Sequence, residues 1–269
     1  MTETSPYISP ERPNFKPRLR PMKAYKHFRN LISDKEDTTQ VFYIIEALSG
    51  RSLLNDMERF GSSERGQKLI TERQILPAIL DDHDRWKALP DNTVGRAYLN
   101  FMTSQGLSAQ GLVEEYERFD SDFSGYNDTL EWYANRRRDT HDLFHVLTGY
   151  SRDALGEACV LGFTDGQASD RGVRFIAYMA AREVGKQAPK AAPVIRAVRE
   201  AQRNGKKAER LIYEDIITLM AEPLEQARSR LNIAPPKLYR KVHAMMKESG
   251  IDPFAVIGSG EGSENLVMA

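Results

Sequence analysis

The chain of 269 residues holds a single cysteine, Cys159, so no internal disulfide can support it, and this pattern suits a reducing compartment. Charge of one sign is also missing: 38 lysines and arginines balance 38 aspartates and glutamates. That balance removes any global pull toward nucleic acid, and none is expected as a partner. Long apolar runs are absent. The best, Val41–Ile45 and Phe175–Ala181, fall far short of the ~18 residues that span a bilayer. The opening MTETSPYISPERPNF lacks the apolar stretch of a secretory signal. A cytoplasmic protein, soluble or peripheral to a membrane, is the expectation. Walker, GxGxxG, GxSxG, HExxH and CxxC motifs are all lacking, so the chemistry they signal is not indicated. Strand-like alternation is nearly absent, and no Asn-Gly or Asp-Gly sits between strand-like runs.

Helical signals recur instead. Thr38 or Thr39 precedes VFYIIEAL, Ser63 precedes ERGQKLI, Thr93 precedes VGRAYLNFM and Ser108 precedes AQGLVEEYERF; each is a residue whose oxygen can cap a helix start. Asn127 or Asp128 opens one long pattern, TLEWYANRRRDTHDLFHVLT, closed by Gly149. Further helices are expected at 153–165, 170–184, 191–204, 207–220, 222–231 and 236–248, with Asn204-Gly205 as a turn between two of them. The fold class is therefore all-α, a single multi-helix domain over residues 22–250. Before it, Pro6, Pro10, Pro13, Pro17 and Pro21 mark residues 1–21 as an extended arm. After it, 251–269 ends in a Gly/Ser-rich tail. From Arg12 to Arg29 seven cations and no acid alternate with Phe15, Leu19, Met22, Tyr25 and Phe28. Such a segment either touches an anionic membrane surface or packs its apolar side on its own domain.

One constellation carries chemistry. At about 100° per residue, His141, Asp142 and His145 fall within one ~100° arc of a helix, the two histidines one turn apart. Imidazole and carboxylate donors suit Zn²⁺, Fe²⁺, Mn²⁺ or Co²⁺. Glu157 is the natural further donor, yet on a continuous helix it would stand ~18 Å beyond His145. Gly149 can take the left-handed conformation, and Ser151 can cap a new helix with Asp153 in its first turn. A reversal there brings Glu157 level with the histidines. The bland alternative is two histidines satisfied by polar neighbours.

Other features are weaker. Arg138, one turn before His141, could grip a substrate carboxylate, or pair with an acid of its own domain. Asp81-Asp82-His83-Asp84 points four ways on a helix and reads as a solvated loop or a helix end. Trp86 and Trp132 read as core. A di-iron bundle needs paired ExxH motifs that the chain lacks. A metal phosphohydrolase needs a distant histidine, for which His27, His83 and His243 remain.

The run HDLFH, eleven residues and Glu157 resembles the HDxxHx11E signature of the coenzyme Q biosynthesis protein 4 family. The likeness extends over AYKHFRNLISDKEDTTQVFYIIEALSG, over Pro90, Thr93, Gly95 and Tyr98, and over EPLEQARSRLNIAPP. Where eukaryotic members continue with a lysine and Trp-Phe-Glu after Gly-Glu, this chain has Ala158, Cys159 and Val160, which looks like a bacterial branch. The resemblance implies a role in ubiquinone biosynthesis: removal of the C1 carboxylate of a polyprenylated 4-hydroxybenzoate precursor, with hydroxylation there in an oxidative version. It also implies zinc on His141, Asp142, His145 and Glu157, contact with other enzymes of the pathway, and peripheral attachment, for a bacterium at the inner face of the cytoplasmic membrane. A polyprenyl tail needs an apolar groove. Phe175, Ile176, Met179, Leu211, Ile212, Ile216, Leu219 and Met220 are candidates to line it, at a spacing that equally suits a core. A prenyl-lipid-binding scaffold is the non-catalytic alternative, and a homodimer stays open.

Overall fold

Short polar side chains open half of the helices. Ser63 Oγ accepts from Gly66 N at 3.0 Å, Ser108 Oγ from Gly111 N at 2.9 Å and Asp128 Oδ1 from Glu131 N at 2.9 Å. The computed structural model describes residues 6–9, 18–33, 39–119, 121 and 124–256. Among them are sixteen α-helices: α1 (Pro21–Ser33), α2 (Thr39–Ser49), α3 (Ser52–Gly61), α4 (Glu64–Glu72), α5 (Leu76–Leu80), α6 (His83–Lys87), α7 (Val94–Ser104), α8 (Ala109–Glu117), α9 (Thr129–Asp139), α10 (His141–Thr148), α11 (Ala154–Ala168), α12 (Arg171–Gln187), α13 (Val194–Lys207), α14 (Ile216–Ala221), α15 (Leu224–Arg230) and α16 (Lys237–Glu248). No strand occurs among the described residues, only an isolated bridge between Thr93 and Pro223. The protein is all-α. None of these helices is long and apolar enough to cross a membrane.

Helices α10, α11, α13 and α16 enclose the main core, with Leu147, Ala158, Val160, Val198 and Val242 fully buried. α11 and α13 lie almost backbone to backbone. A Cβ on Gly205 would stand 2.1 Å from Phe163 O, and one on Gly166 2.2 Å from Gln202 O. That contact explains why Asn204-Gly205 is not the expected turn: both residues continue α13. Glycine is there so that two helices can touch.

Other boundaries shift for similar reasons. The long pattern from Thr129 breaks at Thr140 (φ −86°, ψ 1°) into α9 and α10. Thr140 Oγ1 bonds back to Arg136 O at 3.0 Å, a competition with the helix ladder that bends helices. The stretch 207–220 is not one helix. A 3₁₀ turn, Leu211–Tyr213, separates α13 from α14, because distant side chains claim its backbone: Gln167 Oε1 accepts from Leu211 N at 2.9 Å, and Arg136 donates to Ile212 O and Glu214 O.

Described parts of both end segments pack on the domain. Tyr7 and Ile8 pack on a second apolar cluster around Phe60 and Tyr133, and Leu130 N donates to Tyr7 O at 3.1 Å. The basic stretch Arg12–Pro17 lies outside the described residues. Val256 is buried and Ile251 packs on the main core, so the domain extends past 250; 257–269 lie outside the described residues.

The proposed groove lining does not converge. Leu211, Ile216, Leu219 and Met220 belong to the main core, Ile212 to the second cluster, and Ile176 with Phe175 to a third beneath α1 and α2. Met179 is half-buried on α12. Seven of these eight side chains are divided among three separate interiors rather than one channel.

Candidate metal centre

The turn between α10 and α11 does what the local sequence calls for. Gly149 sits at φ +74°, and its N–H donates to His145 O at 2.9 Å, the left-handed stop that glycine tolerates best. Arg228 on α15 reinforces the stop, donating to Leu147 O at 2.9 Å and Val146 O at 2.8 Å. These are orphan carbonyls at the negative end of the helix. The cap of α11 is Asp153 rather than Ser151: its carboxylate accepts from Leu155 N and Gly156 N, both at 3.2 Å. Asp153 also accepts from Tyr239 Oη and meets His243 Nε2 at 3.0 Å, so α16 fixes the start of α11.

This reversal brings three predicted donors together. Glu157 Oε2 lies 3.3 Å from His141 Nε2 and 3.3 Å from His145 Nε2. One donor atom of each lies within 4.8 Å of the others. Donors on a tetrahedral zinc at about 2.0–2.1 Å stand about 3.3–3.4 Å from one another, so the two histidine–glutamate spacings already have that size. His145 is oriented for the purpose. Its Nδ1 lies 2.9 Å from Tyr150 O; a carbonyl can only accept, so Nδ1 carries a proton and Nε2 is the nitrogen turned toward the other donors. That Nε2 is buried and makes no hydrogen bond. A buried polar atom without a hydrogen bond is costly, and a cation between the three donors would satisfy it. The residues fit a divalent metal.

Electrostatics agree. Burial disfavours the Glu157 carboxylate, yet the His145 and His141 imidazoles hold its pKa well below the usual range. Burial likewise opposes the His141 cation, and Glu157 outweighs it, raising that pKa. Phe101 stacks on His145 with centroids 5.5 Å apart, closing one side. His145 is fully buried, whereas His141 and Glu157 side chains are 28% and 32% exposed; the site opens on their side.

Asp142 does not join the three donors. At about 100° from His141, against 40° for His145, it stands at the far edge of the arc. It is buried, and it acts on Tyr98, whose hydroxyl is held neutral by burial and then by the Asp142 charge. Arg138 does not face the donors as a free cation either. It pairs with Asp139 at 2.7 Å, donates to Asn135 Oδ1 at 3.2 Å and lies over the Tyr116 ring. Arg138 lines a cleft of about 460 Å³ with Trp132, Gln74 and Asp139, and none of the three donors lines it. The remaining histidines stay away from the cluster: His27 stacks on Tyr43 and meets Gln40, His83 begins α6, and His243 faces Asp153. In the acidic run, Asp82 caps α6 and Asp81 accepts from Ala109 N and Gln110 N at the start of α8.

Two participants were invisible in the sequence. Tyr150 supplies a backbone carbonyl, which any residue could. Arg152 Nε stands 3.5 Å from Glu157 Oε1, and nothing in the motif distinguishes this arginine from the thirty-seven other cations.

The sequence model of the family described as coenzyme Q (ubiquinone) biosynthesis protein Coq4 matches residues 28–237. The chain belongs to that family. Among curated Coq4 proteins, the mitochondrial ubiquinone biosynthesis protein COQ4 of Candida tropicalis is 24% identical over 169 residues, 60% of this chain and 50% of the relative. The zebrafish (Danio rerio) COQ4 homolog, also named as mitochondrial, is 29% identical over 122 residues, 45% of this chain and 42% of the relative. The chain thus aligns with half or less of these relatives' length. A crystal structure from Nostoc punctiforme, of a candidate ubiquinone biosynthesis protein, superposes with a TM-score of 0.57 at 18% identity, over 79% of this chain and 98% of that one. At that identity the likeness supports the fold.

Proposed function

We propose that this Coq4 chain acts in ubiquinone biosynthesis as a metal-dependent enzyme that removes the C1 carboxylate of a polyprenylated 4-hydroxybenzoate precursor. The family supplies the pathway. The observation that carries the chemistry is the convergence of His141 Nε2 and His145 Nε2 on one oxygen of Glu157. In this reading those three residues hold a divalent cation; zinc suits the donor set, as do Fe²⁺, Mn²⁺ and Co²⁺. When bound, such a cation supplies Lewis acidity to a substrate oxygen. The protein's part is orientation: Tyr150 O fixes the His145 tautomer, Arg228 and Gly149 fix the end of α10, and Phe101 covers the ring of His145. Asp142 stays outside the set, beside Tyr98.

Peripheral membrane contact belongs to the same proposal, and the outer face of α1 supports it. Met22 is 76% and Tyr25 57% exposed, and Lys26 and Arg29 are exposed beside them. With Met22 as reference these four span about 100° of the helix, opposite the inward Ala24, His27, Phe28 and Leu31. Association with other enzymes of the pathway is a further part, tested by copurification.

The deciding experiment is metal analysis of purified protein followed by incubation with a prenylated 4-hydroxybenzoate. Carbon dioxide and the decarboxylated phenol are expected from wild type and not from His141→Ala. Metal-loaded protein without turnover would favour the scaffold instead.

A further inference from the structure

We propose that Arg152 is the anion-binding residue of this site, receiving the carboxylate of a ligand seated at the open side of His141 and Glu157. The inference rests on the metal-site reading above and names the ligand chemistry that the site takes.

Glu157 divides its two oxygens. Oε2 faces both imidazoles at 3.3 Å, while Oε1 faces Arg152 Nε at 3.5 Å. Once a cation sits between the three donors, the single negative charge of Glu157 is shared with it. Two neutral imidazoles, one carboxylate, a divalent ion and Arg152 then sum to an excess of positive charge, and Arg152 loses much of its counter-charge. An anion at the open side restores the balance.

Geometry puts Arg152 where that anion would enter. Its side chain is 28% exposed, like His141 and unlike the fully buried His145. Apart from Glu157, no hydrogen bond or ion pair ties its guanidinium to the described residues. The other arginines nearby are committed. Arg136 straps Ile212 O and Glu214 O, Arg137 faces Asp170 at 3.6 Å, Arg138 pairs with Asp139, and Arg228 caps α10. A guanidinium offers a planar fork that matches two carboxylate oxygens, which a lysine cannot. The arginine best placed for a substrate carboxylate is therefore the one after the turn, not Arg138 before it.

The test uses full-length protein loaded with Co²⁺, whose visible spectrum reports the donor set, titrated with 4-hydroxybenzoate and with its neutral isostere 4-hydroxybenzamide. Arg152→Gln is expected to weaken 4-hydroxybenzoate about tenfold to a hundredfold, the worth of a charge-assisted hydrogen bond. It should leave the Co²⁺ spectrum and 4-hydroxybenzamide binding at wild-type values, with Arg152→Lys in between. Equal loss for acid and amide would make the residue merely structural and overturn the proposal, as would undiminished 4-hydroxybenzoate binding to Arg152→Gln. Wild type that takes up no Co²⁺ would instead sink the metal reading, and this proposal with it.

Discussion

Two neighbouring stretches, the end of α9 and the hairpin of α10 and α11, are equally rich in buried polar groups and use them in opposite ways. On α9, Arg136 is 1% exposed and has its Nε and one terminal nitrogen bonded to carbonyls, with Trp132 under its guanidinium. Burial pushes its pKa down to about 10. Arg137 and Arg138 face Asp170 and Asp139. Here each cation meets oxygens of the protein, Arg138 within its own helix and Arg136 and Arg137 on distant segments. On the hairpin, His145 is as deeply buried, but its Nε2 makes no hydrogen bond and faces Glu157 at 3.3 Å. Arg136 Nη1 is also buried without a hydrogen bond, so the difference lies in convergence: the α9 arginines meet oxygens of their own protein, whereas three donor atoms face one another at the hairpin.

The sharpest break of this comparison is Arg136→Ala. It strands the carbonyls of Ile212 and Glu214, and a loss of about 3 kcal/mol in urea unfolding is expected. Metal content per folded molecule should stay at the wild-type level; a parallel loss of metal would erase the distinction between the two stretches. His141→Ala tests the other side. At a metal concentration a hundredfold above its Kd, wild type should gain about 2.7 kcal/mol of stability over its metal-free form. The variant should gain none by thermal melting, while its metal-free stability changes little. A wild type whose melting temperature ignores added zinc would leave the hairpin as structural as α9.

A smaller effect concerns α1. Reversing Lys26 and Arg29 to glutamate should weaken binding to phosphatidylserine vesicles by about fivefold for each cation lost, measured by cosedimentation. Unchanged binding would assign that face another role. The smallest expected change is Asp153→Ala, which removes the cap of α11 at a cost of about 1 kcal/mol. Because this residue also anchors Tyr239 and His243, a cost well above that figure would show that α16 contributes through it.

Much of the architecture was legible because it is local. Ser63, Thr93, Ser108 and Asp128 cap helices within three residues of themselves, and Gly149 needs only its own φ to stop one. The same holds for the site. His141 and His145 share a face by helical spacing alone, and a turn beginning at Gly149 suffices to return Glu157 to them.

What the chain order by itself determined is therefore the all-helical class, most helix starts, and three donors folded onto one another across a short hairpin. Tertiary structure alone decided the rest. Gly205 lies within a helix because Phe163 presses on it, and residues 207–220 are divided because Gln167 and Arg136 take their backbone groups. The supposed groove residues were dealt into three interiors. The reason is physical: a cap or turn is an interaction among neighbours in sequence. The backbone group that Gln167 or Arg136 takes, or the helix against which a glycine packs, is chosen by elements tens of residues away.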